Sequence, residues 1–143
     1  NHLQKGAKLL LPTAHDKAML CVGDLHALQG NGEICGMALE CGGEVTLRVS
    51  KAKEKIDYPV IKSDKGIVVV GHGKTIKEAS VNAVENAIDY WQKNQEIAKD
   101  MTKDMTKEDV YLYLSASSDL IFGNFTGKVK TCGVWVKKNN LFM

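Results

Sequence analysis

Ile67-Val68-Val69-Val70-Gly71-His72-Gly73-Lys74-Thr75-Ile76-Lys77-Glu78-Ala79-Ser80-Val81-Asn82-Ala83-Val84-Glu85-Asn86-Ala87-Ile88-Asp89-Tyr90-Trp91 is the stretch in which the hydrophobic period changes. Ile67 to Val70 is a short apolar run of strand length, and His72 between two glycines reads as a turn residue leading into a helix. From Thr75 onward Ile76, Ala79, Ala83, Val84, Ala87, Ile88 and Trp91 recur at intervals of three and four. They therefore form one apolar stripe on a helix expected to reach about Ala98. Thr75 followed three residues later by Glu78 is a capping-box start, in which the hydroxyl accepts an orphan backbone N–H and the carboxylate reaches back.

Upstream, the period is that of strands. Tyr58-Pro59-Val60-Ile61, the turn Ser63-Asp64-Lys65-Gly66 and Ile67 to Val70 predict a hairpin. Lys8 to Leu11 ends at Pro12, and Lys17 to Val22, Ile34 to Glu40 and Glu44 to Val49 read as further short strands. Downstream, Thr106 to Asp109 is a second helix start, running to about Ser118. The near-repeat from Lys99 to Lys107, Lys-Asp-Met-Thr twice over, reads as the solvated connection between the helices. Leu120 to Phe125 and Cys132 to Val136 then return as strands. The expectation is an α+β chain, residues 1–143 as a single domain, with a mainly antiparallel, β-sandwich-like core and two helices near the C-terminal end.

Composition excludes several classes. The 143 residues are 44% hydrophobic and 25% charged, with no apolar run long enough to span a membrane. Nineteen Lys and Arg against 17 Asp and Glu leave +2, and Arg48 is the only arginine. The guanidinium forks that read phosphates and bases are thus nearly absent, so no nucleic acid partner is expected. Cys21, Cys35, Cys41 and Cys132 show no C-x-x-C pair, which argues against a thiolate zinc site. Apolar neighbours around Cys21 and Cys35 suggest reduced thiols in buried strands and a cytoplasmic setting. The chain begins at Asn1 without an initiator Met or a signal-peptide pattern, and is read as starting inside a longer protein.

The densest run of reactive side chains is Val22-Gly23-Asp24-Leu25-His26-Ala27-Leu28-Gln29-Gly30-Asn31-Gly32-Glu33. If the strand from Met19 continues through His26, Asp24 and His26 share a face, roughly 7 Å apart at Cα. A carboxylate and an imidazole so placed are a usual oxygen and nitrogen pair for Zn²⁺. Gly30 and Gly32 permit a tight turn that returns Glu33 toward the same strand end. There it would serve as a third ligand or as the base that takes a proton from water, and spacing alone does not choose. His2 and His15 sit among polar loop residues with no partner at ligand spacing. Trp91 and Trp135 read as packing residues, and the Gly-x-Gly at 30–32 lacks the context of a phosphate loop.

Gly23-Asp24-Leu25-His26-Ala27-Leu28-Gln29-Gly30-Asn31-Gly32-Glu33-Ile34-Cys35-Gly36-Met37-Ala38-Leu39-Glu40 resembles the central signature of the acetamidase/formamidase family, G-D-x-H-A-x-Q/M-G-D-G-E-x-x-G-T-A/G-x-E. Leu9 to Thr13, Asn82 to Tyr90, Glu108 to Leu112 and Ser115 to Leu120 resemble flanking parts of the same family. Asn31 stands where the family usually has Asp, and Met37 where it has Thr. The resemblance implies a cytoplasmic, oligomeric enzyme that hydrolyses a short amide such as formamide or acetamide to a carboxylate and ammonia. By position it carries over Asp24 and His26 as metal ligands, with a divalent ion, Zn²⁺, as cofactor, and Glu33 as catalytic base. It also implies that the chain is the C-terminal portion of a protein about twice as long, partnered by an N-terminal half that supplies further ligands. A non-catalytic metal-binding β module is the alternative, and a cyclic amide such as a γ-lactam the alternative substrate.

Overall fold

A computed structural model describes residues 1–53, 56–94 and 105–140. Its elements are β1 (Lys8–Leu10), β2 (His26–Leu28), β3 (Leu39–Glu40), β4 (Val60–Ser63), β5 (Gly66–Gly73), α1 (Ile76–Lys93), α2 (Lys107–Ser117), β6 (Ser118–Phe122) and β7 (Lys130–Lys137), with one 3₁₀ turn, Lys138–Asn140, after them. β1, β4, β5, β7 and β6 form one sheet in that order, antiparallel throughout, while β2 and β3 form a separate antiparallel ribbon. The α+β reading, with antiparallel strands and two helices toward the C-terminal end, holds. Among the described residues no helix is long and apolar enough to cross a membrane.

The predicted hairpin forms with Ser63 opposite Gly66 and Val60 opposite Val69. α1 begins where the capping residue places it: Thr75 Oγ1 accepts the Glu78 N–H at 3.1 Å. The Glu78 carboxylate takes the N–H of Lys74, one residue before the cap, at 2.8 Å. α1 ends at Lys93 with Asn94 as its cap, and the expected extension to Ala98 falls outside the described residues, as does most of the Lys-Asp-Met-Thr repeat. α2 has the full reciprocal box between Thr106 and Asp109.

The core lies between the helices and one face of the large sheet. Val60, Val69, Val134 and Val136 meet Ala79, Ala83, Ala87, Tyr90 and Trp91 of α1 and Val110 and Leu114 of α2. The alanines repeat every four residues, so α1 presents a shallow groove to β5, and Gly71 fits it. A Cβ at Gly71 would stand 2.1 Å from the Ala83 backbone nitrogen. Asn82 and Asn86 side chains bridge the same contact, donating to the His72 and Val70 carbonyls at 2.8 and 2.9 Å. His72 is thus a strand residue, paired with Thr131, and not the turn residue expected.

Three expected strands differ. The runs 17–22 and 44–49 form no strand, and 34–40 contributes only Leu39–Glu40. Ala18 and Met19 have φ of +60° and +53°, left-handed values that interrupt an extended chain. Cys21, Cys35 and Cys41 are exposed free thiols, whereas Cys132 is buried in β7. His2, expected to be an isolated loop residue, packs edge-on against Trp135 with centroids 5.1 Å apart.

Candidate metal centre

The residues singled out in the sequence converge, though not by strand alternation. Asp24 has φ of +63°, so the extended segment begins only at His26. Asp24 therefore curls back beside the strand, and its Oδ1 lies 3.6 Å from His26 Nε2. Glu33 arrives by the glycine turn: Gly32 has φ of +85°, Glu33 itself +45°, and the Gly36 N–H donates to the Glu33 carbonyl at 2.7 Å. Its Oε1 ends 4.0 Å from His26 Nε2.

A fourth member, Glu40, is one that residue spacing does not single out. It is the register partner of His26 across the β2–β3 ribbon, and its Oε1 lies 3.0 Å from His26 Nε2. Directly opposed residues on an antiparallel pair bring their side chains together on one face. The signal in the sequence is the Gly-rich reversal between the two, which makes position 40 the return of position 26. The bulge between His26 and Leu28 shifts the register, so counting from the turn alone misses it.

Asp24, His26 and Glu40 each offer a ligand atom, and these atoms all lie within 4.8 Å of one another. Ligand atoms about 2.0–2.1 Å from a tetrahedral zinc stand roughly 3.3 Å apart, close to the 3.0 and 3.6 Å measured from His26 Nε2. The donor set, one imidazole and two carboxylates, suits a borderline divalent ion. Glu33, not a member of that group, is set one step further out. Three carboxylates around a single imidazole give the site a negative field that favours a cation. The His26 side chain is 9% exposed and that of Glu33 19%, whereas Asp24 and Glu40 remain 80% and 60% exposed. The site thus has a closed side carrying His26 and Glu33 and an open side toward solvent.

Two of the three acidic residues occupy left-handed backbone conformations, Asp24 and Glu33. Such conformations cost a non-glycine residue about 1–3 kcal/mol and concentrate at functional sites. Asn31, the departure from the family pattern, is engaged elsewhere: its side-chain carbonyl accepts a hydrogen bond from the Asn1 side chain at 2.9 Å.

Comparison with known proteins gives the family and the fold. The Acetamidase/Formamidase family profile matches residues 1–136. An acetamidase structure from Bacillus halodurans superposes with a TM-score of 0.80 at 29% identity, covering 94% of this chain and 43% of that one. The acetamidase structure from Yersinia enterocolitica gives 0.76 at 23% identity, covering 96% and 40%, and speaks to the fold alone. A Schizosaccharomyces pombe protein named "Putative formamidase C869.04" is 41% identical over 64 residues, 43% of this chain and 15% of its own length. The chain thus spans less than half the length of each of these relatives.

Proposed function

Because this chain belongs to the acetamidase/formamidase family, we propose that it carries the metal-binding and proton-transferring part of a hydrolase of short linear amides, formamide or acetamide. The observation that carries this reading is the convergence of Asp24, Glu33 and Glu40 on the single imidazole of His26. Asp24, His26 and Glu40 would hold a divalent ion, Zn²⁺ by the chemistry of the donor set. When bound, such an ion supplies Lewis acidity that polarises a carbonyl and lowers the pKa of water toward about 7.

The protein's own part in the reaction is proton handling. Amide hydrolysis adds a water oxygen to the carbonyl carbon and breaks the C–N bond, and the nitrogen leaves only once protonated. Glu33 stands close to His26 on the sheltered side and is free of a place among the ligands. It accepts the proton of the attacking water and delivers it to the nitrogen, so that ammonia departs and a carboxylate remains. A reducing, cytoplasmic setting belongs to the same reading, resting on four cysteines with no C-x-x-C pair in the sequence.

The surface around the site supports a second element of the reading. Leu20, Val22, Leu28, Ile34, Met37 and Leu39 are all exposed about the ribbon that holds the ligands. An apolar surface of this kind marks an interaction face. We place on it a further portion of the family fold, corresponding to the length of the matched acetamidases that this chain does not cover, with homo-oligomerisation building on the completed unit.

Metal analysis combined with ammonia release tests the proposal. Zinc is expected at one equivalent, lost in Asp24→Asn and His26→Ala. Glu33→Gln is expected to retain zinc and to lose about 10²–10⁴-fold in turnover. Near wild-type turnover in Glu33→Gln, or zinc binding indifferent to His26→Ala, overturns it.

A further inference from the structure

The loop of the β2–β3 ribbon is joined by backbone hydrogen bonds to the large sheet and its β6–β7 turn through Gly32. The Gly32 N–H donates to the Phe122 carbonyl at 2.8 Å, and the Phe125 N–H donates to the Gly32 carbonyl at 3.3 Å. Among the described residues these two are the backbone hydrogen bonds that join the hairpin carrying Glu33 to the five-stranded sheet. Gly32 is buried, in contrast to most of the hairpin. A Cβ there would find ordinary contacts, 3.6 Å to Phe122 and 3.8 Å to Phe125, whose rings meet edge-on at 6.4 Å. Four residues on, a Cβ at Gly36 would stand 3.1 Å from Thr126 Oγ1, so the hairpin touches the same turn twice.

The turn that receives Gly32 is itself well fastened. The Asn124 N–H donates to Thr131 Oγ1 at 2.6 Å and the Thr131 N–H to the Asn124 carbonyl at 3.0 Å. The Gly127 N–H donates to Asn124 Oδ1 at 2.8 Å, and Lys130 Nζ donates to the Gly127 carbonyl at 2.6 Å. Thr131 belongs to β7, which is paired along its length with β5 in the middle of the sheet. A rigid path therefore runs from the core through the turn to Gly32, the neighbour of Glu33. Glu33 lies in the loop of the β2–β3 ribbon, whereas the spacing of His26 and Glu40 is set by their own pairing across the two strands.

We infer that Gly32 is a positioning residue, a backbone latch that uses the turn between β6 and β7 to fix the loop bearing Glu33, and so the Glu33 carboxylate, relative to the cross-strand pair His26 and Glu40. This rests on the reading of Glu33 as the proton carrier. The latch requires φ of +85° at position 32, which an L residue other than Asn or Asp adopts only at a cost.

Gly32→Ala and Gly32→Asn in the full chain separate conformation from crowding, since both add a Cβ that the space admits and the bulkier Asn is the one that tolerates the left-handed region. Gly32→Ala is expected to bind zinc as wild type does, to lose about tenfold in kcat for formamide with KM little changed, and to speed hydrogen exchange at the Phe125 amide. Gly32→Asn, which tolerates the left-handed region, is expected to restore most of both. Unchanged Phe125 exchange and kcat in Gly32→Ala overturn the latch, as does loss of zinc in step with activity. Glu33→Gln measured alongside keeps the two proposals apart: full turnover there removes Glu33 from the reaction, while Phe125 exchange still reports whether the latch exists.

Discussion

His26 and Glu40 face each other across a two-stranded ribbon, Nε2 to Oε1 at 3.0 Å, although fourteen positions separate them in the chain. The pair brings a second carboxylate to the imidazole from the strand opposite. Removing it leaves Asp24 and His26 without their third donor. Glu40→Gln is expected to weaken zinc binding by at least roughly 10–100-fold, the loss seen even for outer partners of metal ligands, as measured by competition with a chromophoric chelator. Glu40→Asp, with a shorter reach, is expected to recover only part of it.

The difference between Glu40 and the other site residues shows what a sequence exposes. Asp24, His26 and Glu33 stand within ten residues of one another, so their spacing suggests a shared site, whereas Glu40, though it closes the signature that begins at Gly23, has no spacing that gives it a role. Glu40 joins them by cross-strand pairing, and the register shift between His26 and Leu28 hides the pairing. The same distinction separates α1 from the early strands. The alanine stripe and Thr75 act within a few residues, so the helix start is legible. The apolar runs 17–22 and 44–49 have strand composition, but a strand needs a neighbour to pair with. Leu20, Val22, Val45, Leu47 and Val49 are exposed.

The left-handed backbone at Glu33 makes a stability prediction with an unusual sign. Relief of a conformation costing about 1–3 kcal/mol outweighs the extra chain entropy of glycine, roughly 0.5–1 kcal/mol. Glu33→Gly is therefore expected to raise the denaturation midpoint of the metal-free protein while abolishing amide hydrolysis. Glu33→Gln, which keeps the strained backbone, is expected to leave the midpoint where it was. Urea denaturation of the three proteins side by side checks the order.

The contact of α1 with β5 leaves no room for an added atom. Gly71→Ala drives a Cβ into the backbone of Ala83, where no side chain is available to move aside. It is expected to destabilise by about 1–3 kcal/mol or more. Gly42→Ala meets nothing within 4 Å and is expected to fall within about 0.5 kcal/mol of wild type. Thermal unfolding of the two variants measures the contrast.

The Tyr58 hydroxyl donates to Asp89 Oδ2 at 2.6 Å, and Lys93 Nζ closes the same carboxylate at 2.9 Å. Burial, the hydrogen bond to Asp89 and the Asp89 charge together push the Tyr58 hydroxyl far above its ordinary value. Burial alone would raise the Asp89 carboxyl, but hydrogen bonds from Lys93 and Tyr58 outweigh it and hold it below the usual range. The two shifts act at opposite ends of the pH scale. For Asp89 the folded value is depressed, so its contribution is present above the unfolded carboxylate range and is lost as pH falls through the depressed value. For Tyr58 the folded value is raised, so its contribution is complete below about 10 and is lost as pH climbs beyond it, where the unfolded chain ionises first. Tyr58→Phe is expected to remove the alkaline loss and to make the acid loss shallower, because Asp89 keeps only Lys93. Denaturation midpoints from about pH 2 to 11 for the two proteins check both limbs, and an alkaline limb unchanged in Tyr58→Phe would assign that loss to another group.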